Sequence, residues 1–191
     1  RVRAAPVTAG DARLRSGVVP RGLGLMLRLA IGLRRPRVAA GWGFAGEVAG
    51  VGAGVTSFVP GQRVFGICGF KGGAHRDYLT IPADGKVLPV PDTLSLKQAA
   101  AFFFGGLTAA DFLIDQAKLR PDDRVLVAGA TGAVGGAAVQ IARHLGATVT
   151  ATASSENHAL ALQLGAHSVS DYREALPSGP FDVILDVMGR I

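Results

Sequence analysis

The chain is short of cysteine, aromatic rings and lysine, and each shortage closes off a class of explanation. Cys68 is the only cysteine among 191 residues, so neither an internal disulfide nor a multi-cysteine zinc cage can form. A reduced, cytoplasmic setting is the expectation. Aromatic residues make up 6% of the chain, and their one run, Phe102-Phe103-Phe104, has no cation beside it. Of the 20 cationic side chains only four are lysine, and the arginines are scattered except for Arg34, Arg35 and Arg37. A nucleic-acid binder gathers its cations on one face, often with aromatic residues interleaved, so no nucleic-acid partner is expected. The net charge of +6 reads instead as a moderate pull on anionic ligands.

Long apolar runs are also lacking. Residues 125–142 carry no charge over 18 positions, but they contain four glycines, Thr131 and Gln140 and change period halfway. Residues 22–33 are too short to span a membrane and are broken by Arg28, which leaves at most an amphipathic surface helix. No charged segment followed by an apolar run opens the chain, so no signal peptide is expected. The expectation is a soluble protein without a membrane partner.

What is present falls into two styles. Over residues 1–90, short runs rich in Val, Ile and Phe (44–51, 63–67, 78–81 and 86–90) alternate with Gly and Pro turns, as in a small, partly open β-barrel. The style changes at Pro91. Ser95-Leu96-Lys97-Gln98 matches a capping box and predicts a helix to about Phe104. Gly105-Gly106 predicts a break, and a second helix follows over 107–118, so residues 91–120 read as a joint between domains. Over 121–191 strand and helix alternate. Strands are expected at 124–130, 148–153, 168–170 and 181–186, the first and last buried on both faces. A helix over 133–145 presents Val134, Ala138, Ile141 and Leu145 on one face, and a helix over 155–164 has a serine cap and Gly165 beyond its end. This alternation calls for an α/β fold with a doubly wound parallel sheet. Four of the six strands of such a sheet are recognised, so the segment is expected to be incomplete at both ends.

The chemistry concentrates at Gly129-Ala130-Thr131-Gly132-Ala133-Val134-Gly135-Gly136, which follows an apolar strand and opens an amphipathic helix. Gly132 would let backbone approach a pyrophosphate, Gly135 would let helix and strand pack closely, and the free N–H groups of the helix start would receive negative charge. Ala130, Thr131, Ala133 and Val134 complete this loop. NAD-binding versions place an acid about twenty residues on, a count that lands on Thr152. The tract Ala151-Thr152-Ala153-Ser154-Ser155 holds no carboxylate, which favours NADP(H) over NAD(H), with Ser154 and Ser155 as phosphate donors.

The tract 123–186 resembles the cofactor domain of the medium-chain dehydrogenase/reductase superfamily, and more narrowly its zinc-free quinone oxidoreductase and enoyl reductase branch. Residues 91–109 resemble that family's inter-domain helix, and residues 41–66, ending in GEVAGVGAGVTSFVPGQRVFG, its GroES-like barrel. Residues 7–17 (VTAGDARLRSG) resemble the loop closing over the nicotinamide. The resemblance implies a GroES-like barrel followed by a Rossmann sheet. It implies an NADP(H)-dependent oxidoreductase passing hydride to a quinone, enone or related carbonyl electrophile, dimeric when full length. Thr8 and Thr108 would lie at the nicotinamide end. Tyr172 would lie near an adenosine 2′-phosphate, or serve only as a strand-end residue packed on the sheet. Zinc members carry Cys where Thr8 stands and a His-Glu pair where Trp42 and Gly43 stand, so no zinc is expected. The proton donor stays unassigned; Asp11 is read as ordering its loop or taking part in catalysis. A non-catalytic dinucleotide-binding or scaffold protein is the alternative. His75, His144, His158 and His167 are not at metal spacing, and Cys68 reads as a buried filler.

Overall fold

A computed structural model describes residues 1–16, 40–69, 72–174 and 176–189. The amphipathic stretch at 22–37 lies outside the described residues. The chain divides into two compact units, Arg1–Phe103 and Phe104–Ile191.

In the first unit, β1 (Val2–Ala4), β2 (Gly43–Glu47), β3 (Arg63–Ile67) and β4 (Val87–Pro89) form an antiparallel sheet in the order β1-β2-β3-β4. Alternation along the strands sends side chains to opposite faces. Phe44 and Val64 join Ala74 and Val87 on one side. Ala45 and Phe65 pack on the other against Ala99, Ala100 and Phe103. The Phe65 and Phe103 rings meet edge to face, with centroids 5.5 Å apart. Residues 78–81 do not form the expected strand: Leu79 and Ile81 pack against the first cluster, while their backbone joins no ladder. Burial of alternate apolar residues, not pairing, produced that pattern.

Helix α1 (Ala9–Ser16) occupies the expected loop, and α2 spans Leu96–Ala110. The capping box forms as expected: Ser95 N–H donates to Gln98 Oε1 at 2.9 Å, and Gln98 N–H donates to Ser95 Oγ at 3.2 Å. The expected break at Gly105-Gly106 is absent. A Cβ on Gly105 would lie 2.2 Å from the carbonyl oxygen of Ala133, so this glycine permits close approach and the helix continues through it. A π-helical stretch, Asp111–Gln116, follows, with Leu113 fully buried.

The second unit is a parallel sheet of β5 (Arg124–Ala128), β6 (Thr148–Ala153), β7 (Ser168–Asp171) and β8 (Val183–Asp186), in the order β7-β6-β5-β8. This is the 3-2-1-4 core of a doubly wound sheet. Helices α3 (Ala133–His144) and α4 (His158–Gln163) form the crossovers. Val125, Val127, Val139 and Val149 are fully buried in its core, each contributing about 1.5–3 kcal/mol by transfer from water. Two expectations fail in detail. The buried face of α3 is Gly135, Gly136, Ala138, Val139 and Ala142; of the expected face Ala138 is buried, Val134 and Ile141 pack half-buried against the core and Leu145 is half-buried, because the helix sits close on its smallest residues. Strand β8 is not buried on both faces: Ile184 is 51% exposed, since β5 is its only described neighbour. Among the described residues no helix is long and apolar enough to cross a membrane.

Candidate cofactor site

The carboxyl ends of β5, β6 and β7 deliver three short segments to one edge of the second unit. The first is the glycine loop. Gly129 takes a left-handed conformation (φ +81°), and its N–H donates to the carbonyl of Thr152 at 3.1 Å; Ala130 N–H does the same at 3.0 Å. Thr152, twenty residues beyond Gly132, is only 1% exposed and stands opposite Ala128 in the parallel ladder. It therefore fastens the loop from beneath.

Gly132 is the N-cap of α3, extended at φ −77° and ψ 171°, and no side chain caps this helix end. A Cβ there would meet only the oxygen of Gly129, at 3.5 Å, so the space in front of it is open. The first bond into the helix runs from Gly136 N–H to Gly132 O at 2.8 Å. The N–H groups of Ala133, Val134 and Gly135 therefore point out of the helix end, where the dipole is positive. Gly135 is different: a Cβ there would lie 2.1 Å from the Gly129 oxygen, so its absence lets α3 pack against the loop. Thr131 is half-buried, and Ala130 is fully buried.

The second segment follows β6. The expected serine cap does not form: Ser154 precedes a 3-10 turn over 155–157 and Asn157 precedes α4, and neither side chain makes a cap bond. The Ser155 hydroxyl donates to Asp171 Oδ2 at 2.6 Å and its N–H to the same oxygen at 3.0 Å. Ser154 accepts a bond from Asn157 Nδ2 at 3.0 Å. Its own hydroxyl bonds the exposed Glu156, which with nearby Arg173 holds that carboxyl below its usual range.

The third segment is Asp171, Tyr172 and Arg173, after β7. The Arg173 guanidinium lies 5.5 Å from the Tyr172 ring centroid and 3.9 Å from Asp171 Oδ2. Neither Asp171 nor Arg173 stands out in the sequence. The parallel register that sets Ala153 opposite Asp171 is what brings both beside Ser154 and Ser155. The available signal was that the third strand of such a sheet must end at the same edge as the second.

Thr108, half-buried on α2, donates its hydroxyl to the Phe104 carbonyl at 2.7 Å, one turn from the Gly105 approach to Ala133. Thr8 belongs to the first unit and is the N-cap of α1. Its hydroxyl donates to Asp11 Oδ2 at 2.7 Å, and Asp11 N–H returns a bond to Thr8 Oγ at 3.3 Å. Asp11, 6% exposed, also accepts from Thr8 N–H at 2.8 Å and from Gly41 N–H at 2.8 Å. Burial pushes its carboxyl up, but the Thr8 hydroxyl and these backbone donors outweigh it and hold the group below its ordinary value. Asp11 thus orders its loop.

Two family models cover most of the sequence. The alcohol dehydrogenase GroES-like domain matches residues 1–92, and the zinc-binding dehydrogenase model matches residues 133–190. The chain belongs to the medium-chain dehydrogenase/reductase superfamily. Its first unit is the GroES-like domain and its second the Rossmann-like sheet. This dehydrogenase/reductase chain is 42% identical over 132 residues to a quinone oxidoreductase of Rattus norvegicus, covering 69% of the chain and 40% of that protein. The quinone oxidoreductase structure from Coxiella burnetii superposes with a TM-score of 0.84 at 32% identity, over 98% of this chain and 58% of that one. The quinone oxidoreductase of Thermus thermophilus, solved also in complex with NADPH, gives 0.76 at 33% identity, over 100% and 57%. The chain thus spans about half the length of the relatives it matches.

Proposed function

We propose that the protein to which this chain belongs is an NADP(H)-dependent, zinc-independent oxidoreductase. It would move a hydride between nicotinamide C4 and a quinone, enone or related carbonyl compound. The observation that carries this reading is the uncapped start of α3 behind Gly132, with open space where a side chain would stand. A bound dinucleotide supplies the hydride chemistry; the chain's residues bind and orient it. The loop N–H groups of Ala133, Val134 and Gly135 would hold the pyrophosphate. Ala130 and Thr131 shape the loop that presents them.

At the adenosine end, Arg173 supplies the positive charge for a 2′-phosphate, with Tyr172, Ser154 and Ser155 around it. A 2′-phosphate entering there would displace Glu156 from Ser154 and Arg173. Both Asp171 oxygens are committed to Ser155 and the Arg173 N–H, and residues 151–155, where NAD-binding domains place the acid that holds the ribose, contain no carboxylate. These features favour NADP(H). Within the second unit, Thr108 would serve the nicotinamide end.

The residues do not fit a catalytic zinc. Thr8 has its hydroxyl committed to Asp11, Trp42 offers an indole and Gly43 no side chain. Among the described residues no three His, Cys, Asp or Glu side chains gather into a metal-binding group. No step is routed through a metal. Catalysis, rather than a purely dinucleotide-binding or scaffold role, is favoured by the quinone oxidoreductase relatives. A cytoplasmic homodimer, acting on a small-molecule electrophile, completes the proposal. Steady-state oxidation of NADPH by the full-length protein, with a panel of quinones and enones, tests it. Turnover with one of these acceptors is expected; cofactor binding without turnover on any would leave the scaffold reading.

A further inference from the structure

Asp171 is 7% exposed, and all its partners lie on the two loops that flank the adenosine end of the proposed site. One oxygen takes the N–H and hydroxyl of Ser155, at 3.0 and 2.6 Å. The other takes the N–H of Arg173 at 2.8 Å. The residue is the last of β7, anchored by the ladder opposite Ala153. One carboxylate thus ties the start of the loop after β6 to the start of the loop after β7. Its bonds to Ser155 and to the Arg173 backbone draw the carboxyl below its ordinary range, as expected for a group that works ionised.

We propose that Asp171 is a positioning residue for cofactor selection: by clamping Ser155 and the Arg173 backbone it holds the Arg173 guanidinium and Tyr172 ring toward a 2′-phosphate. This rests on the reading of the second unit as a dinucleotide site. The clamp is separate from the pyrophosphate cradle, which Thr152 fastens from β6. Loosening it should therefore act on the 2′-phosphate and leave the pyrophosphate contacts in place. An asparagine at 171 cannot reproduce the clamp. Its single oxygen can serve one loop, and its amide would face a donor on the other.

The test is calorimetric titration of the full-length protein and its Asp171→Asn and Ser155→Ala variants with NADPH, NADH and 2′,5′-ADP. The last ligand probes the adenosine end alone. Asp171→Asn should weaken NADPH and 2′,5′-ADP about tenfold or more while NADH stays within about twofold. Ser155→Ala, a change at an exposed side chain that spares the fold, should shift the same ratio less. Equal losses for NADPH and NADH would mean a merely structural role and overturn the inference. A loss confined to NADH would show that Asp171 itself accepts the ribose hydroxyl, and would overturn it too, as would no change. If the wild-type protein binds none of the three ligands, the proposed function fails instead. If it binds them and the variants do not discriminate, the inference alone fails.

Discussion

Two glycines three residues apart are expected to fail in opposite ways. At Gly135 a Cβ would lie 2.1 Å from the Gly129 oxygen, 2.8 Å from its carbonyl carbon and 3.0 Å from the Ala130 Cα, all of them backbone atoms. Gly135→Ala must then push α3 off the loop by about an ångström, an overpacking strain of about 1–3 kcal/mol. At about 2–4 °C per kcal/mol for a domain of this size, melting without cofactor should fall by about 2–12 °C. At Gly132 the same atom would touch only the Gly129 oxygen at 3.5 Å, and φ of −77° suits any residue. Gly132→Val should cost about 1 kcal/mol, the usual penalty for a poor N-cap. Its branched side chain would instead fill the space in front of the helix start. NADPH at 100 times its Kd stabilises a folded protein by about 2.7 kcal/mol, a rise of about 5–10 °C. Thermal melts of the full-length variants with and without NADPH should show a near-normal Gly132→Val protein that has lost this rise. Gly135→Ala should be unstable even without cofactor. A full NADPH-induced rise in Gly132→Val would refute the reasoning, because the loop would then be only a turn.

The parallel sheet was legible in the sequence because its signals are local. Continuous apolar runs such as 125–128 and the glycine loop that follows each need only a few neighbouring residues to be read, and the order β7-β6-β5-β8 is that of the doubly wound sheet that strand–helix alternation implies. The Ser95 and Gln98 capping box is local too, and it formed. What escaped depends on residues distant in the chain. Gly105 looks like a helix breaker until the Ala133 carbonyl is seen against it. Ser155 looks free to donate until Asp171, sixteen residues on, takes both of its donors. The buried face of α3 was misplaced because glycine and alanine carry little hydrophobic signal, although here they decide how closely the helix packs. At the site, the glycine loop was legible, whereas the grouping of Arg173 and Asp171 with Ser154 and Ser155 required the β6–β7 register.

Arg173→Ala should weaken NADPH about fivefold and leave NADH nearly unchanged, with a shallower dependence of NADPH affinity on salt; titrations at two ionic strengths check this. Asp11→Ala should cost about 3 kcal/mol in denaturant unfolding, since the Gly41 and Thr8 N–H groups lose a buried acceptor. Because the folded-state pKa of Asp11 is lowered from 3.8, its stabilisation is complete above about pH 4 and is lost as pH falls through the folded value. The gap in melting temperature between wild type and Asp11→Asn should therefore narrow as pH falls below about 4; a gap that widens with falling pH would contradict the assignment. Purified full-length protein should hold no stoichiometric zinc by elemental analysis, and about one zinc per chain would end the zinc-free reading.

The most direct test of hydride transfer uses NADPH deuterated at C4 on the transferred face, with an α,β-unsaturated ketone as acceptor and mass spectrometry of the reduced product. The full-length protein should place one deuterium on the β-carbon of that product, in proportion to the NADPH consumed. Reduced product without deuterium, or no NADPH consumption with any enone or quinone offered, would contradict the proposed function.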